Sequence, residues 1–249
     1  MLTSTIRIKN ASFFYGKKCI FSCINLTLSP GKWVGLLGQS GVGKTSLLRM
    51  IAGLVEIKTG EIEIDNSLPA NQQIAYMGQT DLLLPWQTTL ENATLGLKLR
   101  KKKQANPFMM EQAISLLQKV GLKHALHLYP YQLSGGMRQR VALVRTLMEN
   151  KPVILMDEPF SALDAITRYQ LQDLASELLQ NKTVLFVTHD PNEALKLSHE
   201  IFIMQGRPAT LKSIITLTSK IPRELFDEKM IKLQSSLFHE LTKAADELT

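Results

Sequence analysis

Gly38-Gln39-Ser40-Gly41-Val42-Gly43-Lys44-Thr45 is the stretch on which the reading of this 249-residue chain turns. It fits the phosphate-loop pattern G-x-x-x-x-G-K-[ST] at every fixed position. A loop can hold several negative phosphate charges only if its backbone N–H groups turn inward and approach closely. Glycines at 38, 41 and 43 permit this, because they tolerate positive φ and place no Cβ in the way. Lys44 can then reach the β- and γ-phosphates, and the Thr45 hydroxyl can bind Mg²⁺. Before the loop, Trp33 to Leu37 is an apolar run of strand length. After it, Thr45 to Ala52 reads as a helix, with Ser46 in its first turn. The phosphates would therefore sit at a helix N-terminus, where free N–H groups and the helix dipole favour anions. The loop is expected to bind a nucleoside triphosphate.

Bulk properties narrow the class. The chain can hold one large domain, or a domain with a sizeable subdomain. Its composition, 45% hydrophobic and 20% charged, is that of a globular protein and excludes disordered or fibrous classes. No stretch approaches the ~20 uninterrupted apolar residues of a membrane span, and Met1 to Asn10 lacks the apolar core of a secretory signal. Cys19 and Cys23 have no Cys or His cluster to complete a metal site. They read as buried or half-buried thiols in a reducing compartment, and a cytosolic protein is expected. The net charge of +7 fits work near an anionic membrane surface. The basic residues are scattered, however, and no nucleic-acid partner is expected. The dense run Arg100-Lys101-Lys102-Lys103 reads as a solvated helix end.

Further along, Ile6 to Lys9 and Cys19 to Leu28 read as strands flanking Phe13-Phe14-Tyr15-Gly16. An aromatic there could stack on a purine ring or simply pack on the core. Glu61 to Ile64 alternates as a strand, and Ile74 to Met77 is a short apolar strand ending at Gly78-Gln79. From about residue 80 to 150 apolar residues recur at helical spacing, which predicts an inserted helical subdomain. Its opening loop, Asp81 to Trp86, could be core or an exposed docking edge. Ser134 is a good N-cap, and Gly135 and Gly136 leave the first-turn amides of the next helix uncovered. Pro152 to Met156 and Thr183 to Val187 are apolar on both faces, as central parallel strands are. They end in Asp157-Glu158 and Thr188-His189-Asp190. Strands alternating with helices predict an α/β fold with a mostly parallel sheet, an N-terminal antiparallel region and its chemistry at the C-terminal strand ends.

Phosphoryl-transfer chemistry divides the labour. Asp157 would hold Mg²⁺, directly or through water. Glu158 would orient and deprotonate the attacking water, and His189 would contact the γ-phosphate. Alternatively, His189 merely caps the next helix.

Gln39 to Thr45, Leu133-Ser134-Gly135-Gly136-Met137-Arg138-Gln139-Arg140 and Ile154 to Asp164 together resemble the ATPase subunit of an ABC transporter, a P-loop NTPase fold, over roughly residues 5 to 206. Leu-Ser-Gly-Gly is the discriminating piece. The resemblance implies ATP and Mg²⁺ as ligands, Tyr15 as the adenine-stacking aromatic, and Gln79 as the sensor of Mg²⁺ and γ-phosphate. It makes Ser134, Gly135 and Gly136 a signature that contacts ATP across a head-to-tail dimer, places Asp164 in the loop coupling the two sites, and makes His189 the switch histidine. It also implies a membrane-spanning permease subunit docked near Gln79 to Trp86, and a periplasmic or extracellular solute-binding protein acting indirectly. The location implied is the cytoplasmic face of the bacterial inner membrane. Leu-Leu-Pro-Trp and Met-Arg-Gln-Arg look most like importers of nitrate, sulfonates and taurine, or of thiamine-pyrimidine precursors. The alternative is a soluble relative acting on DNA or the ribosome, which would need a long coiled coil, a zinc module or a second ATPase half.

Two regions stand apart. Ser198-His199-Glu200 replaces the Ser-Asp-Arg of many relatives, which is expected to be a surface change without effect on chemistry. Residues 207–249 form a C-terminal extension beyond the ATPase domain of residues 1–206. Within it, Leu225, Phe226, Met230, Leu233, Leu237, Phe238 and Leu241 predict an amphipathic helix from Arg223 to Glu247 whose apolar stripe packs on its own domain or, alternatively, contacts a second copy.

Overall fold

In the computed structural model, residues 4–65, 70–99 and 107–246 are described. They build one sheet from β1 (Ile6–Tyr15), β2 (Lys18–Leu28), β3 (Trp33–Gly38), β4 (Thr59–Ile64), β5 (Ile74–Met77), β6 (Val153–Asp157), β7 (Thr183–Val187), β8 (Glu200–Gly206) and β9 (Ala209–Thr216). The strands lie in the order β4-β1-β2-β9-β8-β3-β7-β6-β5. The block β8-β3-β7-β6-β5 is parallel throughout, and β4-β1-β2 forms an antiparallel arm. This is the α/β architecture expected from the alternation of strand and helix patterns. The basic run Arg100 to Lys103 lies outside the described residues.

The helices are α1 (Lys44–Ile51), α2 (Ala70–Gln73), α3 (Thr89–Ala93), α4 (Leu95–Leu99), α5 (Pro107–Lys119), α6 (Gly135–Met148), α7 (Ala165–Leu178), α8 (Pro191–Leu197) and α9 (Glu228–Asp246). Their starts follow local chemistry. Thr88 accepts from the Glu91 amide while Glu91 reaches back to the Thr88 amide, a reciprocal cap on α3. Ser134 accepts from the Met137 amide at 3.2 Å and Asp164 from the Thr167 amide at 3.0 Å, starting α6 and α7. Asp190, rather than His189, caps α8.

The central strands are buried on both faces, and their period of two divides them between two cores. Trp33, Ile154, Met156, Val184 and Phe186 join the cluster that includes Leu117 and Val141 of the helical insertion. Val34, Leu36, Val153, Leu155, Leu185 and Val187 join the cluster that includes Leu47 and Leu48 of α1. Trp33 meets Phe186 edge-on with ring centroids 6.0 Å apart. Each such side chain contributes about 1.5–3 kcal/mol by leaving water, so the sheet holds its strand ends in fixed register.

Pairing continues past residue 206. β9 returns antiparallel to β8 over most of its length and touches β2 at Phe21 and Ala209, so strand pairing spans the boundary expected at 206 and 207. Buried Arg223 then fastens the following segment, donating to the carbonyls of Leu195, Ser198 and Ser219. α9 begins at Glu228, later than expected, because the Asp227 carboxylate accepts from the Met230 amide at 2.7 Å and starts the helix there. Met230, Leu237 and Ala244 pack on α8 and β8 as part of one cluster, with Leu225, Leu233 and Leu241 at its margin. Phe226 and Phe238 depart from the expected stripe and face solvent. Cys19 is half-buried as expected. Cys23 is exposed, because its residue adopts φ of 52° where the β1–β2 register slips.

Candidate functional site

Four adjacent parallel strands, β3, β7, β6 and β5, end at one edge of the sheet. From these ends come Gly38 to Thr45, Thr188 to Asp190, Asp157 with Glu158, and Gln79, in that spatial order. Topology thus gathers residues spread from 38 to 189 into one site.

The loop has no room for side chains where it crosses the sheet. A Cβ on Gly38 would lie 2.5 Å from the Met204 carbonyl oxygen, and one on Gly43 would lie 2.8 Å from Ile20. Their φ values of 147° and 118° are in the range that only glycine adopts freely. Gly43 is also the N-cap of α1, which carries no side-chain cap, so the first-turn amides are left to an anionic ligand. Lys44 is buried and bends across the loop, donating to the carbonyls of Gly38 and Gln39 at 2.7 and 2.8 Å. Burial lowers its pKa, and the carboxylates of Glu158 and Asp157 oppose that shift. A cavity of 340 Å³ opens here between Ser40, Gly41 and Gly43 to Ser46 on one side and Gln79 with Glu158 on the other. Ile20 and Val187 supply its apolar walls. Val42 is buried in the core beneath α1.

Asp157 is 1% exposed, and one of its carboxylate oxygens has no hydrogen-bond partner. Burial raises its pKa above the usual range, against a hydrogen bond from Thr45 that favours the charged form. A desolvated carboxylate oxygen beside a hydroxyl suits a hard cation, and Gln79 lines the same cavity as that hydroxyl. This donor set fits Mg²⁺.

Glu158 draws two other residues together. Gln79 Nε2 donates to one of its carboxylate oxygens at 3.3 Å, and His189 Nδ1 lies 3.6 Å from the other. The glutamate side chain is 18% exposed and the histidine 65%. The geometry can hold a water or phosphate oxygen beside a carboxylate base, with one carboxamide and one imidazole to orient it.

Other residues singled out from the sequence lie elsewhere. Tyr15 is exposed at the tip of the β1–β2 hairpin and is not among the residues lining the cavity. Ser134, Gly135 and Gly136 stand at the start of α6 and also do not line it. Asp164 is exposed as the cap of α7, its pKa lowered by the Thr167 hydrogen bond.

Sequence reading missed several supports of the site. The Thr188 hydroxyl donates to buried Glu193 at 2.9 Å and accepts from the Asp190 amide at 3.0 Å, fixing the turn around His189. Burial pushes the Glu193 carboxyl up to about 8. An acid three residues after Thr-His-Asp, on an otherwise apolar helix face, was the available signal. His199 is not a mere surface change: its Nδ1 accepts the Trp33 amide at 3.0 Å, at the start of the strand that ends in the phosphate loop.

The family model described as ABC transporter matches residues 21–161. An uncharacterized ABC transporter ATP-binding protein of Haemophilus influenzae is 44% identical across 95% of this chain and 98% of its own. An aliphatic sulfonates import ATP-binding protein of Rhodococcus jostii is 38% identical across 94% of this chain and 92% of its own. Among solved structures, a dimeric post-hydrolysis state of an ATP-binding cassette bound to ADP and Pi matches with a TM-score of 0.76 at 29% identity. That match covers 86% of this chain and 100% of the other.

Proposed function

This chain belongs to the ABC transporter family, and on that premise we propose that it is the ATP-binding and ATP-hydrolysing subunit of a membrane importer. The observation that carries the reading is the convergence of Gln79 and His189 on the two carboxylate oxygens of Glu158, across a cavity walled by the phosphate loop. The loop amides of residues 38 to 46 grip the phosphates, and Lys44 brings its charge to them. Thr45, Asp157 and Gln79 hold Mg²⁺, which neutralises phosphate charge when bound. Glu158 takes a proton from the attacking water, while Gln79 and His189 fix its carboxylate. Tyr15 stacks on the adenine from the hairpin tip.

A second copy completes the site. Because Ser134, Gly135 and Gly136 do not line the cavity of their own chain, they serve the ATP held by a partner in a head-to-tail homodimer, with Asp164 in the connecting loop. Binding two nucleotides closes the pair, and hydrolysis removes the bridge. The dimeric state of the similar cassette supports this assembly.

A permease subunit docks beside Gln79 to Trp86, where Leu82 and Trp86 are exposed. Arg145 holds this loop through the Asp81 and Leu82 carbonyls. No helix among the described residues is long and apolar enough to cross a membrane. The importer ATP-binding relatives support a peripheral subunit on the cytoplasmic face of the inner membrane. A solute-binding protein feeds the permease from the other side. The names of several relatives supply aliphatic sulfonates as the solute class to try first.

The test is hydrolysis of ATP by the purified chain and its Glu158→Gln variant. The variant should bind ATP, lose turnover and accumulate as an ATP-bound dimer. Undiminished hydrolysis would remove Glu158 as the base.

A further inference from the structure

We propose that Gln139 is a positioning residue for Glu158, through which the signature helix α6 sets the base of its own chain. This rests on the reading of Glu158 as that base. Gln139 is 7% exposed, and both ends of its carboxamide are used. Nε2 donates to the Glu158 carbonyl oxygen at 2.9 Å, and Oε1 accepts from the Ala162 amide at 3.0 Å.

The need for such a clamp lies in the backbone of Glu158, which has φ of 51°. A residue with a Cβ is strained in this left-handed region, and the conformation persists only where the surroundings over-determine it. The Glu158 amide donates to the Val187 carbonyl at 3.0 Å, which fixes one side of the peptide. On the other side the Glu158 carbonyl accepts from Ser161, whose hydroxyl lies at 3.1 Å, and from Gln139. Ser161 belongs to the same turn and would move with it. Gln139 comes from a separate helix and anchors the turn to something outside.

The chemistry requires a carboxamide, since one planar group must donate to a carbonyl and accept from an amide. A leucine does neither. A glutamate accepts but, ionised, turns an anionic oxygen toward the Glu158 carbonyl.

The same helix is tied to the turn at its first residues. A Cβ on Gly136 would sit 3.2 Å from Leu163 and 3.3 Å from the Ala162 carbonyl oxygen. The start of α6 and the turn from Glu158 to Leu163 therefore shift together. In the proposed dimer that helix start faces the partner's ATP, while Glu158 acts on its own chain's ATP. Gln139 makes the placement of one depend on the other.

The test uses the full chain, with wild type and Glu158→Gln as references. Steady-state hydrolysis, binding of a fluorescent ATP analogue and thermal melting are measured for Gln139→Leu and Gln139→Glu. The expected result is a fall in kcat of about ten-fold or more in both, with analogue Kd within about two-fold of wild type, as misplacement of a reacting group predicts. Unchanged kcat overturns the inference. So does a parallel loss of kcat and nucleotide affinity, which a merely structural role would give. If Glu158→Gln is inactive while both Gln139 variants are not, this inference alone fails. If Glu158→Gln hydrolyses like wild type, the reading of the base fails first.

Discussion

The Gln79 carboxamide donates to the Glu158 carboxylate across 3.3 Å, joining the loop after one strand to the end of its neighbour. His189 stands on the opposite oxygen. The Glu158 carboxylate, the proposed base, is thus flanked from both sides. Replacing either neighbour should slow chemistry more than binding. His189→Ala is expected to lower kcat about 100-fold and Gln79→Ala about 10-fold, each with little change in ATP affinity. Steady-state kinetics with equilibrium nucleotide binding would check the split.

Asp157 gives a prediction of opposite signs. Its buried charge is disfavoured in the folded chain, as its raised pKa records. Asp157→Asn should therefore raise the melting temperature of the nucleotide-free protein, by about 2–4 °C if the relief is near 1 kcal/mol. The same change should increase the Mg²⁺ concentration needed for half-maximal hydrolysis by about ten-fold or more. Calorimetry and a Mg²⁺ titration test the two halves separately.

His199 makes stability depend on acid. Burial, helped by Lys32 and Arg223, lowers its pKa to about 4 from 6.5, so the folded chain keeps the ring neutral. Above pH 6.5 the ring is neutral in both states and its contribution is complete. As pH falls toward 4 the unfolded chain takes a proton and the contribution is lost. The loss should be about 1–2 kcal/mol, below the full linkage value because the ring is only half-buried. Urea unfolding between pH 7 and 4 would show it, and His199→Gln, which accepts the Trp33 amide without titrating, would flatten it.

Glu193 acts at the other end of the scale. Its carboxyl is raised from 4.5 to about 8 by burial. The folded chain holds this proton where the unfolded one has released it. The stabilising contribution is complete below pH 4.5 and vanishes as pH rises through 8. Wild type should lose stability steadily as pH rises from about 4.5 to 8 and level off above that in urea melts, and Glu193→Gln should lose less over the same range.

What could be read in advance followed from the kind of constraint at each position. The phosphate loop was legible because its glycines answer to backbone geometry that no other residue satisfies. The strand ends Asp157, Glu158 and His189 were legible because each follows an apolar run buried on both faces. β9 was not, since Ala209 to Thr216 mixes polar and apolar residues around a role set by its partners β8 and β2. Gln139 and His199 escaped for a related reason. Each is a polar residue whose partner is a backbone group far along the chain, and spacing carries no trace of such pairs; Glu193, five residues from its Thr188 partner, left only a local trace. In Asp81 to Trp86 both alternatives coexist. Leu83 is buried while Leu82 and Trp86 are exposed, so one loop anchors itself and presents a face.

The seat of β9 between β2 and β8 has a consequence for how the molecule is made on the ribosome. Strands emerge in numerical order, yet the strand that seams the antiparallel arm to the nucleotide-binding block is the last. Until Ala209 to Thr216 leaves the exit tunnel, β2 and β8 each present a bare hydrogen-bonding edge. A nascent chain stalled with residue 208 just outside the tunnel should therefore hold two half-sheets, sticky toward one another's copies. Release of about ten more residues should convert it, in a single late step, into a particle that no longer recruits its neighbours.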